Sequence, residues 1–307
     1  MKVWLVALGL GLGWSSAVWA CSPGLEIVTV LTPSGKFGYV DPAGKVVTGA
    51  PFDAAMPFSE DLARVRLGDR WGYIDRTGKL AIAPQFADAD RFAEGLAAVK
   101  PADQWGFIDR TGKMVISPQF DAAFPFAEGL AVVSQRSRWF FVDRTGKTAI
   151  DPPYDLVQSF AEGRALVYAD GKWGYIDRQG QPAIPLRFAD ALPFSEGLAA
   201  VKMAEAEDRL PQYGFIDPNG KTVIPPQFAC ADRFQEGLAA VQIGEKWGFV
   251  TKTGQIAIPA TFDAVSGFVE GRALVQQGNQ LRAIDRQGRR QAAASPPSRG
   301  AGETVPK

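Results

Sequence analysis

Apolar and polar positions in this chain are arranged in short runs that never reach helical length, and the runs return on a fixed period. The segment Trp71 to Lys100, WGYIDRTGKLAIAPQFADADRFAEGLAAVK, shows the pattern. Trp71 to Asp75, Lys79 to Ile82 and Leu96 to Lys100 are rich in β-branched or aromatic residues and bounded by Gly, Pro and Asp, which predicts three β-strands. Near-copies begin at Trp105, Trp139, Trp173 and Trp247, with aromatic stand-ins at Phe37 and Tyr213 and a worn copy at Leu281. Consecutive starts are 34 residues apart except between Trp173 and Tyr213, where the step is 40. Eight units therefore occupy Val28 to Arg290, and one carries a six-residue insertion.

Between the first two runs of a unit, Asp75-Arg76-Thr77-Gly78 has the residues of a type I turn closed by a left-handed position. The Asp side chain can bond its own backbone, and Gly accepts positive φ. The turn recurs from Asp109, Asp143, Asp177 and Asp285, with Pro at the second corner after Asp41 and Asp217, and Thr251 replaces Asp in the seventh unit. A link follows with two Phe six residues apart, as in Phe86 and Phe92. An even spacing puts both rings on one side of an extended segment. The link ends in a Glu-Gly corner, with Glu at 60, 94, 128, 162, 196, 236 and 270 and Asp61 replacing Gly once.

The opening run Val28 to Thr32 and the stop after the Asp285 turn set the phase. The natural unit is a three-stranded meander of the Leu-Ala-x-Val, Trp-Gly and Lys-x-x-Ile runs, joined to the next by the Phe-containing link. The Trp-Gly-x-Ile-Asp-x-x-Gly-Lys pattern with Phe-x-Glu-Gly-Leu-Ala resembles the bacterial WG-repeat (KWG-type) family over Val28 to Arg290. That resemblance implies an all-β repeat module, frequent in exported or surface-associated bacterial proteins, of variable copy number and with no general activity to carry over.

Ahead of the array, Lys2, the apolar run Val3 to Trp14 and the segment ending at Ala20 read as a secretory signal peptide over 1–20. The apolar run is too short for a membrane span. Cys21 then opens the mature chain and has two fates: acylation, as in a lipoprotein, although Trp19 departs from the usual small residue, or a disulfide with Cys230, the only other cysteine. The array fills 21–290, and the apolar-poor tail 291–307 is expected to be disordered. With 46% hydrophobic residues and zero formal charge, nothing electrostatic calls for a nucleic acid or an anionic surface as partner.

The chain contains no histidine, which removes Ser-His-Asp and Cys-His nucleophile pairs and His-based zinc sites. There is no CxxC pair and no phosphate-cradling Gly-rich loop, so neither cofactor nor metal is expected. Repeated carboxylates suffice in principle for glycoside hydrolysis, yet a group present in nearly every unit answers a need of every unit, such as satisfying turn N–H groups. The tryptophans could form a sugar-stacking ladder or pack between units, and the following Gly fits packing. One asymmetry stands out: the insertion around Glu205, Glu207, Asp208 and Arg209 lengthens a hairpin loop, a place for partner binding on a rigid scaffold.

The fold expected is a tandem array of eight β-meander repeats forming a curved, solenoid-like superhelix, with a closed eight-bladed propeller-like ring as the alternative. Units of 34 residues are small beside the 40 to 45 of a typical four-stranded blade. An open array is the expectation, with Cys21 free for lipid. The function expected is that of an exported, non-catalytic binding or scaffolding protein of the cell envelope, its partner an unknown protein or envelope component. The rival is a lectin-like or carbohydrate-active protein using Trp faces and carboxylates.

Overall fold

In a computed structural model, residues 30–31, 35–39, 48, 51–203 and 212–291 are described, and they form strands and turns without a helix. The array expected from the period is present. The second sheet pairs Ala54–Ala55, Leu62–Leu67, Arg70–Asp75 and Leu80–Phe86 in that order, each neighbour antiparallel. The third (Asp88–Phe120), fourth (Ala122–Ile150), seventh (Cys230–Phe262) and eighth (Ala264–Gln291) repeat that order. The fifth and sixth are fused, because Pro182–Ala191 is at once the last strand of one and the first of the next. Of the first unit, Val30–Leu31 pairs with Phe37–Gly38. The segment 1–20, Cys21 and the tail from 292 onward lie outside the described residues.

Two features correct the strand count read from the pattern. The sheets have four strands rather than three, since the link contributes a two-residue strand such as Asp88–Ala89, which pairs with Val99 and Lys100. The Glu-Gly corner folds it back: Glu94 and Gly95 sit at φ +53° and +77°, the two left-handed positions of a type I′ hairpin, closed by mutual bonds between Ala93 and Leu96. The Lys-x-x-Ile strand is also longer than expected and runs through Pro-x-Phe, as in Met114–Phe120. Its register slips between Ile116 and Phe120, around Pro118, which has no N–H to give a ladder. That displaced backbone presses on the Gly of Trp-Gly: a Cβ on Gly106 would lie 2.5 Å from the Ile116 carbonyl oxygen. The close approach therefore comes from the unit's own last strand.

Consecutive sheets pack face to face. Phe107, Ile116 and Phe120 of the third sheet meet Ala123, Phe126, Val133 and Val142 of the fourth, and the same positions recur at the other interfaces. Phe86 and Phe92 share one cluster, as their even spacing predicts. The middle strands are covered on both faces, which is why Leu96-Ala97-Ala98-Val99 reads as an unbroken apolar run. Burying one such aromatic stabilises the stack by about 1.5–3 kcal/mol. Every core cluster joins sheets consecutive in the chain, and among the described residues none joins the first to the last.

Candidate functional site

The repeated carboxylates are used between units. Glu94 accepts from the Gly129 N–H of the next sheet at 2.9 Å, and the same bond runs from Gly95 to Glu60, Gly163 to Glu128, Gly197 to Glu162, Gly237 to Glu196 and Gly271 to Glu236. The turn arginine of that next sheet adds a second hold, Arg144 donating to the Glu94 carbonyl at 2.6 Å and Arg178 to that of Glu128 at 2.7 Å. Burial of the Glu196 carboxyl works to raise its pKa, but Lys252 and the Gly237 N–H outweigh it and hold the group below the usual carboxylate range. A left-handed Glu costs roughly 1–2 kcal/mol, so a glutamate stays in this turn because its carboxylate reaches the neighbour.

The turn aspartates are occupied too. Asp109 Oδ1 accepts from the Thr111 N–H at 2.9 Å, the Thr111 hydroxyl at 2.6 Å and the Lys113 N–H at 3.1 Å. The Thr111 hydroxyl is the main reason its pKa lies low, desolvation opposing and the backbone donors adding to the effect. Asp232 behaves differently: burial pushes its carboxyl up, the Arg233 N–H at 2.7 Å counteracting only in part. Among the described residues no group of three His, Cys, Asp or Glu side chains is disposed to hold a metal.

The tryptophans do not form an exposed ladder. Trp71 is 9% exposed and roofed by Arg64 and Arg66, whose guanidinium carbons lie 5.3 and 5.8 Å from its ring centre. Trp247 is 6% exposed, while Trp105, Trp139 and Trp173 are half-buried at the interface with the next sheet. Two aromatic pairs keep some open face in the middle of the array: Phe124 with Trp139 at 5.8 Å and Tyr168 with Trp173 at 5.0 Å. Sequence reasoning missed these pairs, because Phe124 and Tyr168 stand where other units carry Asp90 and Lys100 and belong to no repeated motif.

Of the residues singled out from the sequence, Glu205, Glu207, Asp208 and Arg209 lie outside the described residues, between the paired strands Ala199–Met203 and Tyr213–Ile216. Cys21 also lies outside them. Cys230 is disulfide-bonded and 7% exposed in the core between the seventh and eighth sheets.

Comparison with known proteins adds three findings. The model of the "WG containing repeat" family matches seven times, at residues 37–71, 71–100, 105–139, 139–173, 173–205, 213–247 and 247–280. No curated protein matches. The chain is similar in fold to a structure titled "Crystal structure of the eukaryotic initiation factor", with TM-score 0.54, 11% identity and coverage of 81% of this chain and 80% of that one. It is likewise similar to the dihydro-heme d1 dehydrogenase NirN in complex with DHE, with TM-score 0.51, 14% identity and coverage of 86% and 69%. At these identities the likeness concerns the fold alone.

Proposed function

Since the chain belongs to the WG containing repeat family, we propose that it is an exported, non-catalytic binding or scaffolding protein of the cell envelope, working through the broad surface of its array. The observation that carries this reading is the Glu-to-Gly bond repeated across six interfaces, which commits six of the seven corner glutamates to holding units together. What remains for a partner is the outer surface and the hairpin loop bearing Glu205, Glu207, Asp208 and Arg209, a loop on a rigid scaffold. Residues 1–20 supply the export signal, and the periplasm or cell surface is the place of work. The test is a pull-down from envelope extracts with the full-length chain and a variant whose insertion is shortened to the length of the other units. Loss of one specific protein band with the short loop is expected, whereas identical captures remove the loop from the reading.

The two half-open aromatic pairs favour a second reading, in which a glycan stacks on Phe124–Trp139 and Tyr168–Trp173. Binding to envelope polysaccharide that is abolished by Trp139→Ala with Trp173→Ala, at unchanged fold, would select it over the protein-binding one.

A further inference from the structure

We propose that the hairpin edge of the fourth and fifth sheets holds an extended β-1,4-linked glycan strand, two of its sugars stacked on the Phe124–Trp139 and Tyr168–Trp173 pairs. This rests on the glycan reading above and adds to it the linkage and the number of sugars engaged. Trp139 comes just after the Arg136-Ser137 hairpin and Trp173 just after the Asp170-Gly171 hairpin, so both pairs lie along one edge of the array. Trp139 and Trp173 stand 34 residues apart, at the same strand position in two sheets packed face to face, which separates them by one sheet spacing, about 10 Å. Sugars joined β-1,4 alternate in orientation along a straight ribbon, so every second ring turns the same face the same way, at a repeat that matches this spacing. An α-1,4-linked chain curls about its own axis and does not keep two rings on two platforms of a straight edge.

The sheets on either side bound the row. The place of Tyr168 is taken by Lys100 in the third sheet, where Asp90 also stands in the place of Phe124. In the sixth sheet it is taken by Lys202, whose Nζ lies 5.7 Å from the ring centre of the buried Tyr213. Phe124, by contrast, is 39% exposed, and Trp139, Tyr168 and Trp173 are half-buried. The backbone of the fourth unit departs at the same edge. Arg136 and Ser137 both take left-handed φ, +53° and +64°, where the hairpins of the second, fifth, seventh and eighth units place a glycine, Gly68, Gly171, Gly244 and Gly278. Two side chains are thus held at a tip where glycine is the easier residue, as happens where a site needs them. Both are exposed beside Trp139 in the chain, and a guanidinium and a hydroxyl are the donors that sugar hydroxyls bond.

Titration calorimetry of the full-length chain tests this, with chito- and cello-oligosaccharides of two to six sugars and with maltohexaose. A disaccharide covers one platform and a trisaccharide reaches both, so in at least one β-1,4 series the affinity should rise about tenfold from the one to the other. Tyr168→Lys gives the fifth sheet the residue of the third and sixth, and Phe124→Gln gives the fourth the residue that the fifth carries as Gln158. Each variant should fold as its neighbours do, still bind the disaccharide and lose the tenfold step. Equal affinity for two and three sugars, maltohexaose bound as tightly as the β-1,4 hexamers, or a step that both variants retain would overturn the proposal and leave the glycan reading standing. No binding of any oligosaccharide would overturn both.

Discussion

The seventh and eighth sheets have the same strands in the same order, yet only the seventh is built to be followed. Its outward face carries Leu238, Ala240, Trp247 and Phe249, all buried by the eighth sheet. On the eighth sheet the same places hold Arg272, Leu274, Leu281 and Ala283, and none of these four is fully buried. The large aromatics have been replaced by smaller residues and one apolar position by a charge, which is how a repeat array ends without offering its face to another. A glutamate also loses its purpose at the end. Glu270 keeps the left-handed conformation of the six other corner glutamates, at φ +52°, but among the described residues no Gly N–H meets its carboxylate.

The largest difference between the two sheets should come from truncation. Phe249→Ala removes a fully buried ring and should cost about 3–5 kcal/mol, while Leu281→Ala, on the uncovered face, should cost under about 1 kcal/mol. Urea unfolding of both variants checks this. Equal losses would mean that the eighth face is covered in solution. Rebuilding that face should act on association instead: Leu281→Trp with Ala283→Phe restores the residues of an inner unit and should produce concentration-dependent oligomers in analytical ultracentrifugation with little change in monomer stability.

A smaller contrast tests the glutamates. Glu236→Asn removes a charge-assisted bond to Gly271 and relieves only part of that loss through Asn's tolerance of positive φ, for a net cost of about 1 kcal/mol. Glu270→Asn has no bond to lose among the described residues and gains the Asn-Gly preferred in type I′ hairpins, so it should stabilise by about 0.5–1 kcal/mol. Opposite signs in thermal melts are the expected result, and matching signs would break the link between the left-handed glutamate and its neighbour.

Much of this was legible in the chain itself. The period located every sheet, the Asp-x-x-Gly spacing located the hairpins, and the recurrence of glutamate argued for a structural role. Less legible was the fourth strand, because a two-residue strand has no periodicity and follows from the Glu94-Gly95 dihedral angles rather than from alternation. Phe140 shows the same limit. It stands where other units have the Gly of Trp-Gly, and with a side chain there the last strand shortens to Thr148–Ile150 and pairs with Phe141 and Val142 but not with Trp139. The sequence displayed the substitution, but its effect depends on a backbone approach that only the folded sheet defines. The half-open aromatic pairs were hidden for a related reason, since they arise from single departures in neighbouring strands.

The smallest effect expected concerns the one turn that lacks its aspartate. Thr251 keeps the backbone bonds of the hairpin, Gly254 N–H to its carbonyl at 2.9 Å and its own N–H to the Gln255 carbonyl at 2.9 Å, but its hydroxyl meets the Thr253 hydroxyl rather than gathering the backbone donors that Asp109 gathers. At Asp75, Asp109 and Asp143 the threonine hydroxyl first, and the backbone N–H groups after an opposing desolvation, hold the carboxyl below its ordinary value. A carboxyl depressed in the folded state stabilises above its unfolded pKa, near 3.9, and that contribution is lost as pH falls through the folded value. Thr251→Asp should therefore raise the urea midpoint over the parent at pH 6, and the two proteins should converge at pH 2. All these turns are exposed, so salt should shrink only the ionic share of the gain and leave its sign unchanged. A gain of the same size at both pH values would show that the aspartate acts through turn propensity rather than through its charge, and the low carboxyl pKa in the other turns would then carry no stability.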